Sequence, residues 1–425
     1  MPVEKTDTLI VGGGQAGIAM SEHLGKVGIP HLVLEKNRTA EAWRTGRWDN
    51  LVANGPAWHD RFPNLEFEGN DPDEFVSKDR FAQYLVDYAA MIDAPIREGV
   101  EVLEAVRQPG NGGFLIKTSE GDIHARRIVA ATGAFQHPVI PPIVPETADV
   151  TQIHSFHYKN PDQLPEGAVM VVGAGSSGAQ IGDELNRAGR KVFLSVGPHD
   201  RPPRRYRGRD FVWWLGVLGL WDMAAPEPGT EHVTISVSGA YGGRTMDFRR
   251  LGNEGVILTG LTKGYGNGVL SFADDLRANV AAGDANYNEL LDMADAYVAR
   301  TGLGLPEEPE AREVFPDPKC LTNPLTSVDL AKEGVTSIIW ATGFRQDFNW
   351  LKVDAFNEKG APIHSRGLSK EPDVYFLGLP WQSRRGSSFL WGVWHDAKHI
   401  ADQIAIQRSY LEYDGQAAII PAAAE

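Results

Sequence analysis

The sequence contains one glycine pattern twice, and this repetition restricts the folds that the chain can adopt. The first copy, residues 12–17, follows an apolar run and precedes a helical pattern that stops at Gly28. The second copy, residues 173–178, has the same context. A Gly-x-Gly-x-x-Gly pattern between a strand and a helix is typical of a dinucleotide-binding turn. We therefore predict an α/β chain with two Rossmann-like domains, the second inserted in the first, and two nucleotide sites.

The two turns supply most of the predicted cofactor contacts. Their glycines permit a tight turn, a close approach of the pyrophosphate and close packing of helix on strand, and the helix N-terminus faces the phosphates. The residues predicted to bind cofactor are Gly12, Gly14, Gln15, Ala16 and Gly17 in the first copy and Gly173, Gly175, Ser176, Ser177 and Gly178 in the second.

The two copies differ at the position that contacts the ribose. The strand after the first copy ends in Glu35, and an acid about 20 residues past the turn binds ribose hydroxyls. The strand after the second copy ends in Ser195, which would not repel a 2′-phosphate. Arg201, Arg204 and Arg205 follow, and arginine suits phosphate. These differences predict FAD at the first site and NADPH at the second, although the arginines also fit a solvated basic loop.

The order of the motifs predicts how the domains are divided. Residues 98–129 alternate like a small antiparallel excursion, and proline-rich bends from Pro138 onward look like a domain crossing. Residues 335–344 repeat the pattern of residues 128–133, and another buried strand ends at Gly378. We assign residues 1–150 and 331–425 to a discontinuous FAD-binding domain and residues 151–330 to an NAD(P)H-binding domain.

Composition excludes several classes of function. The formal net charge of −15 argues against a nucleic-acid or anionic-membrane partner. The single cysteine, Cys320, excludes the Cys-x-x-Cys pair of a disulfide reductase. The N-terminus does not resemble a signal peptide, and no apolar run reaches the roughly 18 residues of a membrane span. We expect a cytoplasmic protein without a metal site, and a homodimer is the default because such dimers are the commonest oligomers.

Three further segments are candidates for the site. Trp43 and Arg44 lie in a predicted loop that either covers the flavin side of the first turn or only seals the surface. A Gly/Ser turn at residues 384–388 precedes a helix and either faces the flavin or only begins a docking helix. The apolar stretch 211–221, together with Trp381, Trp391 and Trp394, hints at a small apolar or aromatic substrate.

The chain resembles the class B flavin-dependent monooxygenases, which include the flavin-containing monooxygenases, the plant YUCCA enzymes and, more distantly, the Baeyer–Villiger enzymes. The resemblance covers about residues 1–215 and 330–408. It rests on the paired glycine turns and on Ala-Thr-Gly at residues 131–133 and 341–343. It also rests on a signature segment that places its histidine on His154 and its last aromatic residue on Tyr158, in a form closer to the first two groups.

This resemblance implies roles for individual residues. Asn54 matches the family's asparagine over the flavin ring, which hydrogen-bonds the flavin peroxide or the nicotinamide amide, and it also fits a simple turn. His154 would act at the domain hinge. Thr132 and Gly133 would lie beside the flavin, and Val102 matches a backbone contact to the adenine. The family's usual arginine for the 2′-phosphate falls on Gly197, so Arg201, Arg204 or Arg205 would replace it.

The implied reaction is the insertion of one oxygen atom of O2 into a small substrate. NADPH would reduce the flavin, O2 would add at flavin C4a, and a nitrogen, sulfur or ketone group would receive the oxygen. One alternative is an NAD(P)H oxidase or flavin reductase that shares every motif but oxygenates nothing. Another is a cofactor-binding regulatory protein without turnover.

Overall fold

The computed structural model describes residues 3–69, 71–110, 112–224 and 235–413. The α-helices in these ranges are α1 (Gln15–Lys26), α2 (Glu41–Thr45), α3 (Lys78–Met91), α4 (Ser176–Arg187), α5 (Phe211–Val217), α6 (Phe248–Asn253), α7 (Leu276–Thr301), α8 (Lys319–Thr322) and α9 (Leu390–Leu411). The strands are β1 (Glu4–Val11), β2 (His31–Glu35), β3 (Ile96–Glu98), β4 (Val102–Arg107), β5 (Phe114–Thr118), β6 (Gly121–Ala130), β7 (His137–Pro138), β8 (Thr151–His154), β9 (Ala168–Val172), β10 (Val192–Ser195), β11 (Arg205–Tyr206), β12 (Arg209–Asp210), β13 (Ile257–Thr259), β14 (Thr262–Gly266), β15 (Val269–Phe272), β16 (Ser327–Asp329), β17 (Val335–Trp340), β18 (Phe344–Arg345), β19 (Leu351–Lys352), β20 (His364–Ser365), β21 (Leu368–Ser369) and β22 (Val374–Phe376).

One large mixed sheet forms the first domain. Its parallel strands follow the order β3-β2-β1-β6-β22. β4 and β5 extend the sheet as an antiparallel meander with β6, as the alternation of residues 98–129 predicts. Apolar side chains of α1, α3 and α9 form one buried cluster with this sheet, in which Ile18, Leu85 and Ile400 are fully buried. The C-terminal helix therefore belongs to the core of the first domain.

A second sheet repeats the arrangement of the first. Its strands are all parallel, in the order β13-β10-β9-β17-β8. In both sheets the strand before the glycine turn lies beside a strand that ends in Ala-Thr-Gly. Ala131 N–H donates to Val11 O at 2.9 Å in the first sheet, and Ala341 N–H donates to Val172 O at 2.8 Å in the second. The prediction of two Rossmann-like domains, one inserted in the other, is confirmed.

The chain crosses between the domains on two adjacent segments. β7 and β18 pair antiparallel, and Val139 N–H donates to Gly343 O at 3.1 Å. β17 pairs with β8 and β9, so it belongs to the second sheet. The predicted boundary at residue 331 is therefore too early, because the chain leaves the second sheet only after Trp340. The sequence misled the assignment because β17 ends in the same Ala-Thr-Gly turn as β6.

Other segments show where local sequence signals suffice and where they fail. Ser77 Oγ accepts the Arg80 N–H at 3.4 Å and so caps the N-terminus of α3. The predicted loop around Trp43 contains the short helix α2. The apolar stretch 211–221 forms α5 and a following turn, with Trp214 fully buried. Residues 233–237, whose alternating sequence predicts a strand, lie partly outside the described residues.

Two kinds of feature are absent from the described residues. No helix in the described ranges is long and apolar enough to cross a membrane. Within the same ranges, no group of three or more His, Cys, Asp or Glu side chains is placed to hold a metal ion. Cys320 is a free thiol, and burial raises its pKa.

Two glycines of α4 allow a matched test of the close packing at the second turn. A Cβ atom on Gly178 would lie 1.9 Å from Gly173 O, whereas one on Gly182 would lie 3.7 Å from its nearest neighbour, Leu194 Cδ2. We expect Gly178→Ala to lower the free energy of unfolding by about 1–3 kcal/mol. Gly182→Ala should leave it unchanged or raise it by about 0.5–1 kcal/mol. Urea unfolding midpoints measure both, and equal midpoints would contradict the packing described here.

Candidate active site

The first glycine turn is shaped by contacts that only glycine permits. Gly12 has φ +116°, and a Cβ on it would lie 2.5 Å from Ala131 O. A Cβ on Gly17 would lie 1.9 Å from Gly12 O. α1 begins at Gln15 without a side-chain cap, and nothing lies within 4 Å of a Cβ built on Gly14. The helix N-terminus therefore faces open space, which suits a phosphate.

Glu35 shapes this turn from the end of β2. Its Oε2 accepts the Gly13 N–H at 2.8 Å, and its Oε1 accepts the Asn37 N–H at 2.9 Å. The carboxylate thus lies where the sequence predicts a ribose contact. A surface cavity of about 490 Å³ continues from here, and its lining residues are Asn37, Arg38, Glu41, Glu98 and Gly99.

Several predicted residues from distant parts of the chain meet at the first turn. Gln15 Nε2 donates to Ser388 O at 2.9 Å, and Trp43 Nε1 donates to Gln15 Oε1 at 3.4 Å. A Cβ on Gly378 would lie 3.1 Å from Ala16 Cβ. The turn before α9, residues 385–388, therefore contacts the first glycine turn.

The guanidinium of Arg44 has a hydrogen-bond donor without a partner among the described residues. Its Nε is buried and has no partner among the described residues. An unsatisfied buried donor is costly, so a guanidinium in this state fits a site for an anion. Sequence reasoning missed its neighbour Arg47, whose guanidinium lies 4.9 Å from the ring of Phe135. Burial lowers the pKa of Arg47 to about 10.

Thr132, Gly133 and Val102 have more ordinary surroundings. The Gln136 amide donates to Thr132 Oγ1 at 2.9 Å and to Gly133 O at 3.0 Å, which fixes the Ala-Thr-Gly turn. Val102 is half-buried at the start of β4. It follows Val100, whose N–H donates to Glu35 O at 3.0 Å, so Val102 lies near the Glu35 end of the turn.

Asn54 lies in the loop of residues 52–60, between the two domains. Its Oδ1 accepts a hydrogen bond from Gln180 Nε2 on α4 at 3.0 Å. Its backbone carbonyl accepts one from Arg204 at 2.7 Å. Asn54 Nδ2 donates to no other described residue. Asn54 therefore belongs to the first domain by sequence, but its side-chain oxygen and its carbonyl are bonded to the second domain.

His154 lies at the domain crossing and is fully buried. Its Nε2 lies 3.0 Å from Gly343 O, and its Nδ1 accepts the Phe156 N–H at 3.1 Å. This pairing requires a neutral ring with its proton on Nε2. Burial lowers the pKa of His154, although the bond to Gly343 opposes the change. Both nitrogens are thus used by the backbone, which suits a hinge residue rather than one that contacts substrate.

Tyr158, the last residue of the signature segment, is buried against α4. Its hydroxyl donates to Glu184 Oε2 at 2.9 Å, and Asn50 Nδ2 donates to Glu184 Oε1 at 2.7 Å. Burial raises the pKa of Glu184, and these two donors oppose the shift. The segment therefore helps to join the loop before Asn54 to the second domain.

The second glycine turn has the same backbone shape but a partly occupied helix end. A Cβ on Gly173 would lie 2.5 Å from Ala341 O, and α4 begins after Gly175 without a side-chain cap. Ser176 N–H and Ser176 Oγ both donate to Ile235 O, each at 2.8 Å. The following residues of the turn are Ser177 and Gly178, of which Gly178 is buried.

Two of the three predicted arginines have carboxylate partners in the structure. Arg201 is buried and bonds Asp284 at 2.7 Å and Asp247 at 3.2 Å. Arg204 is buried against Asp210, with one contact at 3.0 Å, so both cations already have carboxylate partners. Arg205 is exposed, and its guanidinium donates only to the carbonyl of Gly242, at 3.2 Å, among the described residues.

An aromatic cluster lies against the loop that carries Asn54. We define it as Trp58, His59, Trp221, Phe389 and Trp391. The His59 ring stacks 5.4 Å from Trp221 and 6.4 Å from Trp391, and Phe389 lies 5.4 Å from Trp221. These side chains come from the Asn54 loop, the segment after α5 and the start of α9.

Only some of the aromatic residues that suggest an aromatic substrate in the sequence belong to this cluster. Trp391 belongs to it, whereas Trp394 packs in the first-domain core, 4.4 Å from His23. His59 and Gln180 are two residues that sequence reasoning missed. The position of Gln180, just past the last glycine of the second turn, was the available signal.

Comparison with known proteins agrees with this geometry. A family model described as pyridine nucleotide-disulphide oxidoreductase matches residues 9–207. A Geobacillus kaustophilus protein, described as an uncharacterized CzcO-like oxidoreductase, is 32% identical over 403 residues, 94% of this chain and 98% of that protein. An Arabidopsis thaliana YUCCA protein, described as a probable indole-3-pyruvate monooxygenase, is 30% identical over 420 residues, 96% of this chain and 91% of that protein.

A solved structure gives the same fold. The flavin-containing monooxygenase from Stenotrophomonas maltophilia has a TM-score of 0.61 at 20% identity, over 96% of this chain and 100% of that one. The two glycine turns on two Rossmann-like sheets define a class of oxidoreductases that use a flavin and a nicotinamide cofactor. Given its full-length relatives, the chain belongs to the flavin-dependent monooxygenase family and is an oxidoreductase. The resemblance seen in the sequence is thereby confirmed.

A structural role for Arg201, which its two ion pairs indicate, can be tested against Arg205. Arg201→Met leaves Asp247 and Asp284 without the cation that contacts both, and breaking a buried pair costs about 3–5 kcal/mol. We expect a clear drop in thermal stability, with the ratio of affinities for NADP⁺ and NAD⁺ unchanged. Arg205→Met, at an exposed position, should leave stability within about 0.5 kcal/mol. Loss of NADP⁺ preference in Arg201→Met would instead restore the phosphate role.

Proposed function

We propose that the protein is an FAD-dependent, NADPH-consuming monooxygenase that inserts one oxygen atom of O2 into a small apolar or aromatic substrate. The observation that carries this proposal is the position of the Asn54 loop. Its asparagine is hydrogen-bonded to Gln180 of α4, which follows the second glycine turn, and His59 of the same loop stacks against Trp391 at the start of α9. The turn before α9 in turn contacts Gln15 of the first glycine turn.

The first turn fits FAD. The open N-terminus of α1 and the unsatisfied Arg44 Nε supply donors for a pyrophosphate, and Glu35 supplies acceptors for ribose hydroxyls. When bound, FAD would supply the transfer of electrons from the nicotinamide to O2. We assign residues 1–150 and those after Gly343 to the FAD-binding domain.

We assign NADPH to the second turn and residues 151–343 to its domain. Ser195 is uncharged, so nothing at the end of β10 repels a 2′-phosphate as Glu35 would in the first domain. Because Arg201 and Arg204 are already paired, Arg205 is the remaining arginine of the predicted three. Its exposed guanidinium suits a phosphate that arrives from solvent.

The chain's own residues have separate tasks in this proposal. Asn54 Nδ2 would donate a hydrogen bond to the bound cofactors and orient them. The aromatic cluster would hold an apolar or aromatic group and exclude water, which protects reactive states of the flavin from solvent. The relative described as an indole-3-pyruvate monooxygenase supports an aromatic substrate. His154 would hold the two domain crossings together.

Stopped-flow absorbance tests the oxygenation step. The FAD-loaded protein is reduced with NADPH and mixed with oxygenated buffer. We expect a transient spectrum that belongs to neither reduced nor oxidised flavin. Asn54→Ala should shorten its lifetime by about tenfold, since one lost hydrogen bond of 1–1.5 kcal/mol has that effect on a rate. Asn50→Ala, in the same loop segment, is the control and should not change the lifetime.

The opposite outcome would identify the oxidase or reductase alternative. In that case reduced flavin returns directly to oxidised flavin, hydrogen peroxide forms in equal amount to NADPH consumed, and aromatic candidates such as indole or methyl phenyl sulfide remain unmodified. Repeating the reduction with NADH tests the choice of nicotinamide cofactor in the same experiment.

A further inference from the structure

The orientation of the Asn54 side chain is fixed by a residue of the other domain. Gln180 is buried, and its Nε2 donates both to Asn54 Oδ1 at 3.0 Å and to Val237 O at 2.6 Å. A backbone carbonyl can only accept, so the Gln180 atom that faces Val237 must be the amide nitrogen. The Asn54 atom that faces the same nitrogen must then be its oxygen. Asn54 consequently presents its NH2 group away from α4.

The backbone of Asn54 is held as firmly as its side chain. Arg204 donates to Asn54 O at 2.7 Å and to Ser238 O at 3.3 Å, and Asp210 fixes the guanidinium from the other side. The next peptide is fixed too, because Gly55 N–H donates to Asp60 Oδ2 at 2.9 Å. With backbone and Oδ1 both bonded, rotation of the amide would break the bond to Gln180 and place two NH2 groups against each other.

We propose that Gln180 is a positioning residue that holds Asn54 as a hydrogen-bond donor toward the bound cofactors. This inference rests on the proposed function, in which Asn54 contacts the flavin and nicotinamide. Gln180 lies on α4, whose first turn carries Ser177 and Gly178 of the second nucleotide turn. The same helix that would bind the NADPH phosphates therefore sets the donor that faces the reacting end of the cofactors. Arg204 assists by holding the Asn54 backbone.

The geometry separates this role from simple contact between domains. One turn further along α4, Glu184 bonds Asn50 of the same loop segment at 2.7 Å. Both contacts join α4 to the loop, but only the Gln180 bond ends on the Asn54 side chain. Asn50→Ala therefore removes a comparable contact without affecting the Asn54 amide, which makes it a matched control.

An equilibrium titration tests the proposal without turnover. NADP⁺ is added to the oxidised, FAD-loaded protein, and the flavin difference spectrum gives a Kd for Asn54→Ala, Gln180→Met and the double variant. Each single substitution should raise the Kd about threefold to tenfold, the effect of one hydrogen bond. The double variant should match Asn54→Ala, because Gln180 acts only through that side chain. Asn50→Ala should stay within about twofold of the unchanged protein.

Two further variants keep the test falsifiable if Gln180→Met disturbs packing. Asn54→Asp retains an acceptor for Gln180 but loses the donor, so it should bind NADP⁺ as weakly as Asn54→Ala at unchanged thermal stability. Gln180→Glu removes the donor that holds Asn54 Oδ1, and it should match the Kd of Asn54→Ala.

The outcomes that contradict the proposal differ from those that contradict the proposed function. Additive effects of Asn54→Ala and Gln180→Met would overturn the positioning role, as would a Kd in Gln180→Met equal to that of the unchanged protein. If Asn54→Ala itself leaves the Kd and the difference spectrum unchanged, the cofactor contact of Asn54 is wrong, and the proposed function loses its main support.

Discussion

Each nucleotide turn depends on the close approach of two backbone segments. In the first domain the Gly12 turn packs so closely on Ala131 that a single Cβ would lie 2.5 Å from its carbonyl oxygen. The same distance separates a Cβ on Gly173 from Ala341 O in the second domain. The two strands involved are neighbours in the sheet. The helix N-terminus therefore lies on one side of this contact, and the Ala-Thr-Gly turn that leads to the crossing lies on the other.

The crossing follows from that geometry. β6 and β17 both end in Ala-Thr-Gly, and the segments after them, β7 and β18, pair with each other. His154 is hydrogen-bonded to Gly343 of the second Ala-Thr-Gly turn, and this bond fixes the end of β8 to the returning chain. The two domains are therefore joined at equivalent points of two similar sheets. The Asn54 loop also joins the two domains, because Asn54 is hydrogen-bonded to Gln180 and Arg204 of the second domain.

Motifs whose chemistry depends on the backbone could be predicted from the sequence, whereas contacts between long side chains could not. The glycine turns, Glu35 and the meander from Val102 follow from local patterns, because turn geometry and strand alternation are set by neighbouring residues. The carboxylate partners of Arg201 and Arg204 could not be predicted in this way. Asp247 and Asp284 lie far from Arg201 in the sequence, and nothing local shows that folding will pair them with it. Asp210 is only six residues from Arg204, but their contact depends on the short hairpin of β11 and β12. The predicted domain boundary at residue 331 is too early because β17 ends in the same Ala-Thr-Gly sequence as β6.

The Asn54 loop shows that the domain to which a segment belongs in sequence does not determine which domain its residues contact. Asn54 and its covalent neighbours belong to the first domain, but the partners of its side chain and its carbonyl, Gln180 and Arg204, belong to the second. Arg204 is itself held by Asp210, so the arginine that the sequence offered to a phosphate instead supports Asn54. Because these bonds cross the domain boundary, any change in the relative position of the two sheets must either carry Asn54 with α4 or break its hydrogen bonds. The orientation of the Asn54 amide is thus fixed only in arrangements that keep α4 beside the loop, which couples this side chain to the second nucleotide turn through one helix.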